Sequence, residues 1–174
     1  IVQGGRLDVS GGVVRVGVNL ILTNGATLTL HASQARASTL NVAGNAQFDQ
    51  NSFLNVYGSP TNALSPYGAT VDVAGAATLA AGCWIWTFSN PTNGGSALFR
   101  IGSDLLVASN AGFNASTFGC LGGVNNGRGW GIGGGNPIGG GGYGGTGGVY
   151  GANSSGRAYG SSNSPSDAGS GGAS

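Results

Sequence analysis

Few side chains in this sequence can carry chemistry. The ionisable set holds one histidine, His31, five aspartates (Asp8, Asp49, Asp72, Asp104 and Asp167) and six arginines (Arg6, Arg15, Arg36, Arg100, Arg128 and Arg157); Lys, Glu and Met are absent. A Ser-His-Asp relay would have to be built on His31. That residue follows Leu28-Thr29-Leu30 at an expected strand end, with no Gly-x-Ser-x-Gly nucleophile turn near it in sequence. A glycosidase needs two carboxyls held close together. Asp8 and Asp72 occupy the same phase of a repeated motif and could stack, but an outward, solvated position is the expectation for both. A lyase would have to lean on His31 or Arg100. Metal sites fare no better: there are two cysteines and one histidine, and no Gly-Gly-x-Gly-x-Asp calcium repeat. No Gly-Lys-Ser/Thr follows the glycine runs, so they do not form a phosphate loop. The inventory points to a protein that is not an enzyme, with no catalytic, metal or cofactor-binding residues and no cofactor.

Four other features stand out. Cys83 and Cys120 make an even pair, which in an extracellular chain predicts a disulfide; otherwise they are two thiols acting as small hydrophobes. In Cys83-Trp84-Ile85-Trp86-Thr87-Phe88, strand alternation puts Trp84, Trp86 and Phe88 on one face and Cys83, Ile85 and Thr87 on the other. The aromatic face is either an exposed contact surface or part of the core. Gly139, Gly142, Gly145, Gly148 and Gly151 recur at a spacing of three. That spacing suits a left-handed extended helix whose bare edge packs against a neighbour, or else a flexible linker. Asn114-Ala115-Ser116 and Asn153-Ser154-Ser155 are glycosylation sequons. Thr27, Thr29, Thr39, Thr70 and Thr78 do not form the regular rows of an ice-binding surface.

These residues sit in an unusual background. Of 174 residues, 38 are Gly, 6% are charged and 40% are hydrophobic, with a net charge of +1; an ordinary domain is about a quarter charged. The charge gives no footprint for nucleic acid, and no apolar run approaches the roughly 20 residues of a membrane span. No basic n-region precedes Ile1, which reads as an internal or mature start. Hydrophobicity this high argues against disorder over the first two-thirds. So little charge also leaves copies poorly protected from one another, and a homo-oligomer or polymer is expected.

Composition breaks near residue 119: 15 of the 38 glycines fall in residues 1–118 and the others in 119–174. The first segment alternates apolar and polar residues in short runs, the period of strands. Leu7-Asp8-Val9, Leu20-Ile21-Leu22, Leu40-Asn41-Val42 and Val71-Asp72-Val73 are each followed by a nearby Gly, an irregular internal repeat. Each unit is too short to close a core alone, but stacked units can form ladders. Ala26, Ala43, Ala46, Ala74, Ala76 and Ala77 suit tight corners, and Asn24, Asn41, Asn45, Asn51 and Asn55 suit amide ladders or left-handed corners. The expected fold is all-β, a parallel β-solenoid of right-handed β-helix type over residues 1–118. A glycine-rich segment, 119–174, would then pack on it or extend from it. An antiparallel β-sandwich is the alternative.

The order Gly95-Ser96-Ala97-Leu98-Phe99-Arg100-Ile101-Gly102-Ser103-Asp104-Leu105, a glycine-rich run, Tyr159-Gly160-Ser161, Pro165 and Gly169-Ser170-Gly171-Gly172 resembles glycine-rich parallel β-helix proteins. These are parts of large secreted or surface-attached, often adhesin-like, proteins of bacteria and some protists. The resemblance covers roughly residues 65–174 and implies an extracellular or cell-surface location. The leading expectation is a structural subunit that self-assembles into a fibre or surface layer by stacking strands between copies. The alternative is a carbohydrate-binding or adhesive module contacting glycans or cell surfaces, with Trp84, Trp86, Tyr57 and Tyr67 as stacking platforms.

Overall fold

The structure is a computed structural model. It describes residues 1–33, 37–61, 67–116, 118–123, 128–136, 139–149, 155–161, 163 and 169–172. Strands follow one another in threes: β1 (Val2–Gln3), β2 (Arg6–Ser10), β3 (Val13–Val16), then β4 (Leu20–Thr23), β5 (Thr27–His31), β6 (Ser38–Val42). The next two coils are β7 (Ala46–Phe48), β8 (Phe53–Tyr57), β9 (Ala69–Val73) and β10 (Ala77–Leu79), β11 (Trp84–Phe88), β12 (Ala97–Ile101), and β13 (Leu105–Val107) and β14 (Gly112–Asn114) begin another. Every third strand pairs, in parallel, with its counterpart one coil away, giving sheet A (β1-β4-β7-β10-β13), sheet B (β2-β5-β8-β11-β14) and sheet C (β3-β6-β9-β12). This is an all-β parallel solenoid. Every strand pairing among the described residues is parallel, so the antiparallel sandwich does not describe the fold.

Alternation explains the core. Odd and even positions of each strand point to opposite faces, and the inward ones form ladders: Leu22, Phe48 and Leu79 in sheet A, Leu28, Leu54 and Ile85 in sheet B, Leu40 and Val71 in sheet C. All are almost fully buried. Each rung covers the one before it, so burial is shared between coils, and no single coil could sustain it.

The three corners differ. Between sheets A and B the chain turns through left-handed residues, Asn24 (φ 58°), Asn51 (φ 57°) and Asn110 (φ 57°), a conformation asparagine tolerates better than most residues. Between sheets C and A an amide ladder runs along the axis. The Asn45 N–H donates to Asn19 Oδ1 (2.8 Å) and the Ala76 N–H donates to Asn45 Oδ1 (2.9 Å). Gly75 makes room for it, since a Cβ there would lie 2.1 Å from Asn45 Oδ1. The B-to-C corner takes all the long insertions, residues 32–37, 58–68 and 89–96. The described residues at this corner join neighbouring coils through backbone hydrogen bonds such as Gly58 N–H to Phe88 O (2.8 Å) and Gly68 N–H to Ser96 O (2.8 Å). The chain enters its glycine-rich segment at that same corner, after β14.

In the glycine-rich segment, extended stretches cross-link sideways in several directions rather than as one sheet. The Gly140 N–H donates to Gly148 O (2.8 Å), Gly156 N–H to Gly140 O (2.9 Å) and Gly147 N–H to Gly156 O (3.0 Å), closing a three-way contact. Gly171 joins the set through Trp130 O (2.9 Å), and Gly142 through Gly133 O (2.8 Å). Gly133, Gly135, Gly139, Gly142, Gly156 and Gly171 are buried, so backbone takes the place of side chains in this core.

Candidate functional site on the outer face of sheet B

The outer face of sheet B collects most of the groups that could recognise anything. Register places Ser10, His31, Tyr57 and Phe88 in one outward row, Asp8, Thr29, Asn55, Trp86 and Asn114 in a second, and Arg6, Thr27, Phe53 and Trp84 in a third. Ile85 and Cys83 are buried inward, so the aromatic side of the Trp84–Phe88 strand faces outward and is half-buried.

The first row is a stack of rings. His31 lies 4.7 Å from Tyr57 at 14°, Tyr57 lies 4.1 Å from Phe88 at 6°, and Phe118, beyond β14, continues the row 4.1 Å from Phe88. Parallel coils 4.7–4.9 Å apart bring in-register rings to stacking distance. The faces of these rings are therefore occupied by one another. Tyr57, Phe88, Ser89, Pro91, Phe118 and Leu121 border a shallow groove of about 260 Å³. Trp84 behaves differently. Its ring lies over Gly112 of the next coil, where a Cβ would stand 3.5 Å from Trp84 Cζ3. The Trp86 ring is tilted 45° to it, with centroids 6.5 Å apart, and meets Phe118 edge-on at 6.0 Å.

At the start of this face Arg6 Nε donates to both Asp8 oxygens (2.8 and 2.7 Å). That bond, helped by the Thr29 hydroxyl and the charges of Arg6 and His31, holds the Asp8 carboxyl below its ordinary range. His31 Nε2 is 3.8 Å from Asp8 Oδ1, too far for a hydrogen bond. Asp8 thus approaches the nitrogen a nucleophile would need, and the ring is pinned flat on Tyr57, so Asp8 and His31 do not pair as the Asp-His half of a relay. Asp72 lies on sheet C, bound by Arg100 Nε (2.5 Å) and Nη2 (3.0 Å). Asp8 and Asp72 therefore do not stack, although both face outward. The Asp72 ion pair lies in a second groove of about 500 Å³ that also touches Arg15 and Asn41. Among the described residues no three His, Cys, Asp or Glu side chains gather as metal ligands, and no helix is long and apolar enough to cross a membrane.

Both cysteines are free thiols, where the sequence predicts a bridge. Cys83 points into the solenoid, 3.7 Å from Ser52 Oγ, while Cys120 is half-buried in the glycine-rich segment, and burial pushes its thiol pKa up. Gly139 and Gly142 lie inside the glycine bundle, whereas a Cβ on Gly145 or Gly148 would meet open space. Gly151, Asn153 and Pro165 lie outside the described residues. Phe118 and Phe53 complete the aromatic face, and the sequence reading does not single them out. No protein-family model matches the chain, and neither a curated protein nor a solved structure is detectably similar to it.

Proposed function

We propose that this chain is a non-enzymatic structural unit that builds an extracellular filament or surface layer by stacking its solenoid end to end with other copies. The observation that carries the reading is the state of the two end faces. Ladder residues that are almost fully buried in the middle coils are open at both ends: Leu7 is 44% exposed at one, and Leu105, Val107 and Phe113 are 46%, 45% and 40% exposed at the other. Among the described residues the outer edges of β1 and β2 and of β13 and β14 have no further strand beside them, a template for another chain. Head-to-tail contact between two different faces propagates as a filament where its rotation does not close into a ring, as when coils stack along one axis. The net charge of +1 offers little repulsion to oppose it. The extracellular setting rests on the resemblance to surface-attached β-helix proteins. Sedimentation velocity and negative-stain microscopy of the purified chain test the reading: concentration-dependent filaments of uniform width are expected, and a monodisperse monomer at high concentration, with and without salt, defeats it.

A second reading is favoured by one feature. Trp84, laid over Gly112, offers the flat apolar surface on which a sugar ring stacks, with Asn55 and Asn114 in register on either side of Trp86. An adhesive, glycan-binding role predicts glycan-array signals that vanish in Trp84→Ala with Trp86→Ala; a chain that binds no glycan removes this reading.

A further inference from the structure

The solenoid does not end on a level face. Sheets A and B each have five strands and sheet C has four, so beside β13 and β14 the edge of β12 has no partner among the described residues. The inward ladders show the missing rung. Leu40 and Val71 are 1% and 3% exposed, and Val42 and Val73 are 2% and 4% exposed, whereas Phe99 and Ile101, next in register, are only partly buried. Phe113 leans across Phe99 edge-on at 5.2 Å, but is itself exposed. On the outer side Arg15, Asn41, Asp72 and Arg100 are in register. Arg100 binds Asp72 on one flank, and its side chain is 63% exposed, so its other flank could take a second carboxylate.

From these features we infer that the β12 edge is an acceptor site for one extended strand of a separate polypeptide. The sheet itself specifies the pattern of the guest. Ser38, Ala69 and Ala97 make the first inward row, Leu40, Val71 and Phe99 the second, Val42, Val73 and Ile101 the third. A five-residue strand reading small–any–apolar–acidic–aliphatic continues all three rows and places its acid against Arg100, since opposite charges facing each other across strands are stabilising. It binds in parallel, like every strand of sheet C, adding main-chain hydrogen bonds along an open edge. A second copy stacked squarely on the end does not fill this place. With its β1 and β2 seated on β13 and β14, its β3 would lie two strand spacings, about 10 Å, from β12.

The test uses the whole 174-residue chain and a fluorescein-labelled peptide, Ser-Ala-Thr-Val-Asp-Val-Ala, titrated by fluorescence anisotropy at chain concentrations below assembly. Saturable binding is expected, at least tenfold weaker when the peptide's aspartate is replaced by arginine, and lost when alternate peptide amides are N-methylated. Arg100→Glu should reverse the order of the two peptides. Arg100→Gln, which keeps the strand and removes only the charge, should level them, with folding checked by circular dichroism. No saturable binding, equal affinity of the two peptides for the unsubstituted chain, or indifference to N-methylation overturns the proposal. So does loss of binding as copies assemble, which would assign the edge to a second copy.

Discussion

Placing one methyl group inside the glycine bundle should unlock it without disturbing the solenoid. A Cβ on Gly156 would stand 1.9 Å from the Gly133 carbonyl oxygen, with further backbone atoms at 2.7 and 2.9 Å. The obstacle is backbone that is itself hydrogen-bonded, so relief requires a movement of more than an ångström and the loss of the bonds Gly156 N–H to Gly140 O and Gly147 N–H to Gly156 O. Two bonds broken, at about 1–3 kcal/mol each where the groups stay unsatisfied, put the cost of Gly156→Ala at about 2–6 kcal/mol. Gly148→Ala meets open space and, by restricting the unfolded chain, should be neutral or stabilising by about 0.5 kcal/mol. Hydrogen exchange read by mass spectrometry is the assay. In Gly156→Ala, amides of 129–136, 139–149 and 155–160 should lose protection while those of β4 to β11 keep theirs. Equal behaviour of the two variants, or loss of protection throughout the solenoid, would refute the idea that the bundle is a separate, backbone-packed core.

Leu54 is fully buried in the middle of its ladder, so Leu54→Ala should cost about 2–5 kcal/mol, read as a lowered denaturant midpoint; less than 1 kcal/mol would mean the ladders are not the core. Asp8 should titrate below the usual value near 4, and Arg6→Ala should bring it back up, as NMR titration of its carboxyl carbon would show. With a depressed folded pKa, its small contribution to stability is present above the unfolded value and fades as pH falls through the folded one. Cys120, with its thiol raised by burial, should alkylate more slowly than a free thiol at pH 8 and catch up as pH rises, while the buried Cys83 should react only on unfolding; rapid alkylation of both in the native state would contradict their placement.

Strand alternation and corner residues were legible in the sequence because they depend on nearest neighbours. The parity of Leu40-Asn41-Val42 fixes which residues point inward, and Asn24 and Asn51 take the left-handed corners that their type favours. The period was harder to read. The Leu7, Leu20, Leu40 and Val71 motifs look like one repeat but fall on sheets B, A, C and C. The true coil length varies, with in-register partners 26, 31 and 28 residues apart, because the B-to-C corner absorbs insertions of different size. The same variability hid the aromatic row. His31, Tyr57 and Phe88 align only once those loops are subtracted, and Phe118 joins from beyond the last strand. Whether Trp84 and Trp86 face in or out turned on Cys83 and Ile85, whose claim to the interior alternation alone does not decide. In the glycine-rich segment the spacing of three left an extended helix and a flexible linker both open and named no partners, since contacts such as Gly129 N–H to Gly135 O, Gly135 N–H to Gly171 O and Gly171 N–H to Trp130 O leave no side-chain pattern.

The claim that copies join by backbone pairing between end faces can be tested through register. Asp8, Thr29, Asn55, Trp86 and Asn114 form one outward row, so square stacking puts Asp8 of the next copy one strand spacing beyond Asn114, within the 4.4–6.8 Å Cα separation that a disulfide spans. A chain carrying Asp8→Cys and Asn114→Cys, in a Cys83→Ala and Cys120→Ala background, should yield a ladder of covalent multimers on a non-reducing gel after mild oxidation. Either cysteine alone should give no species beyond a dimer. A double variant that stays monomeric under oxidation, while its circular dichroism matches that of the unsubstituted chain, would contradict end-to-end strand pairing.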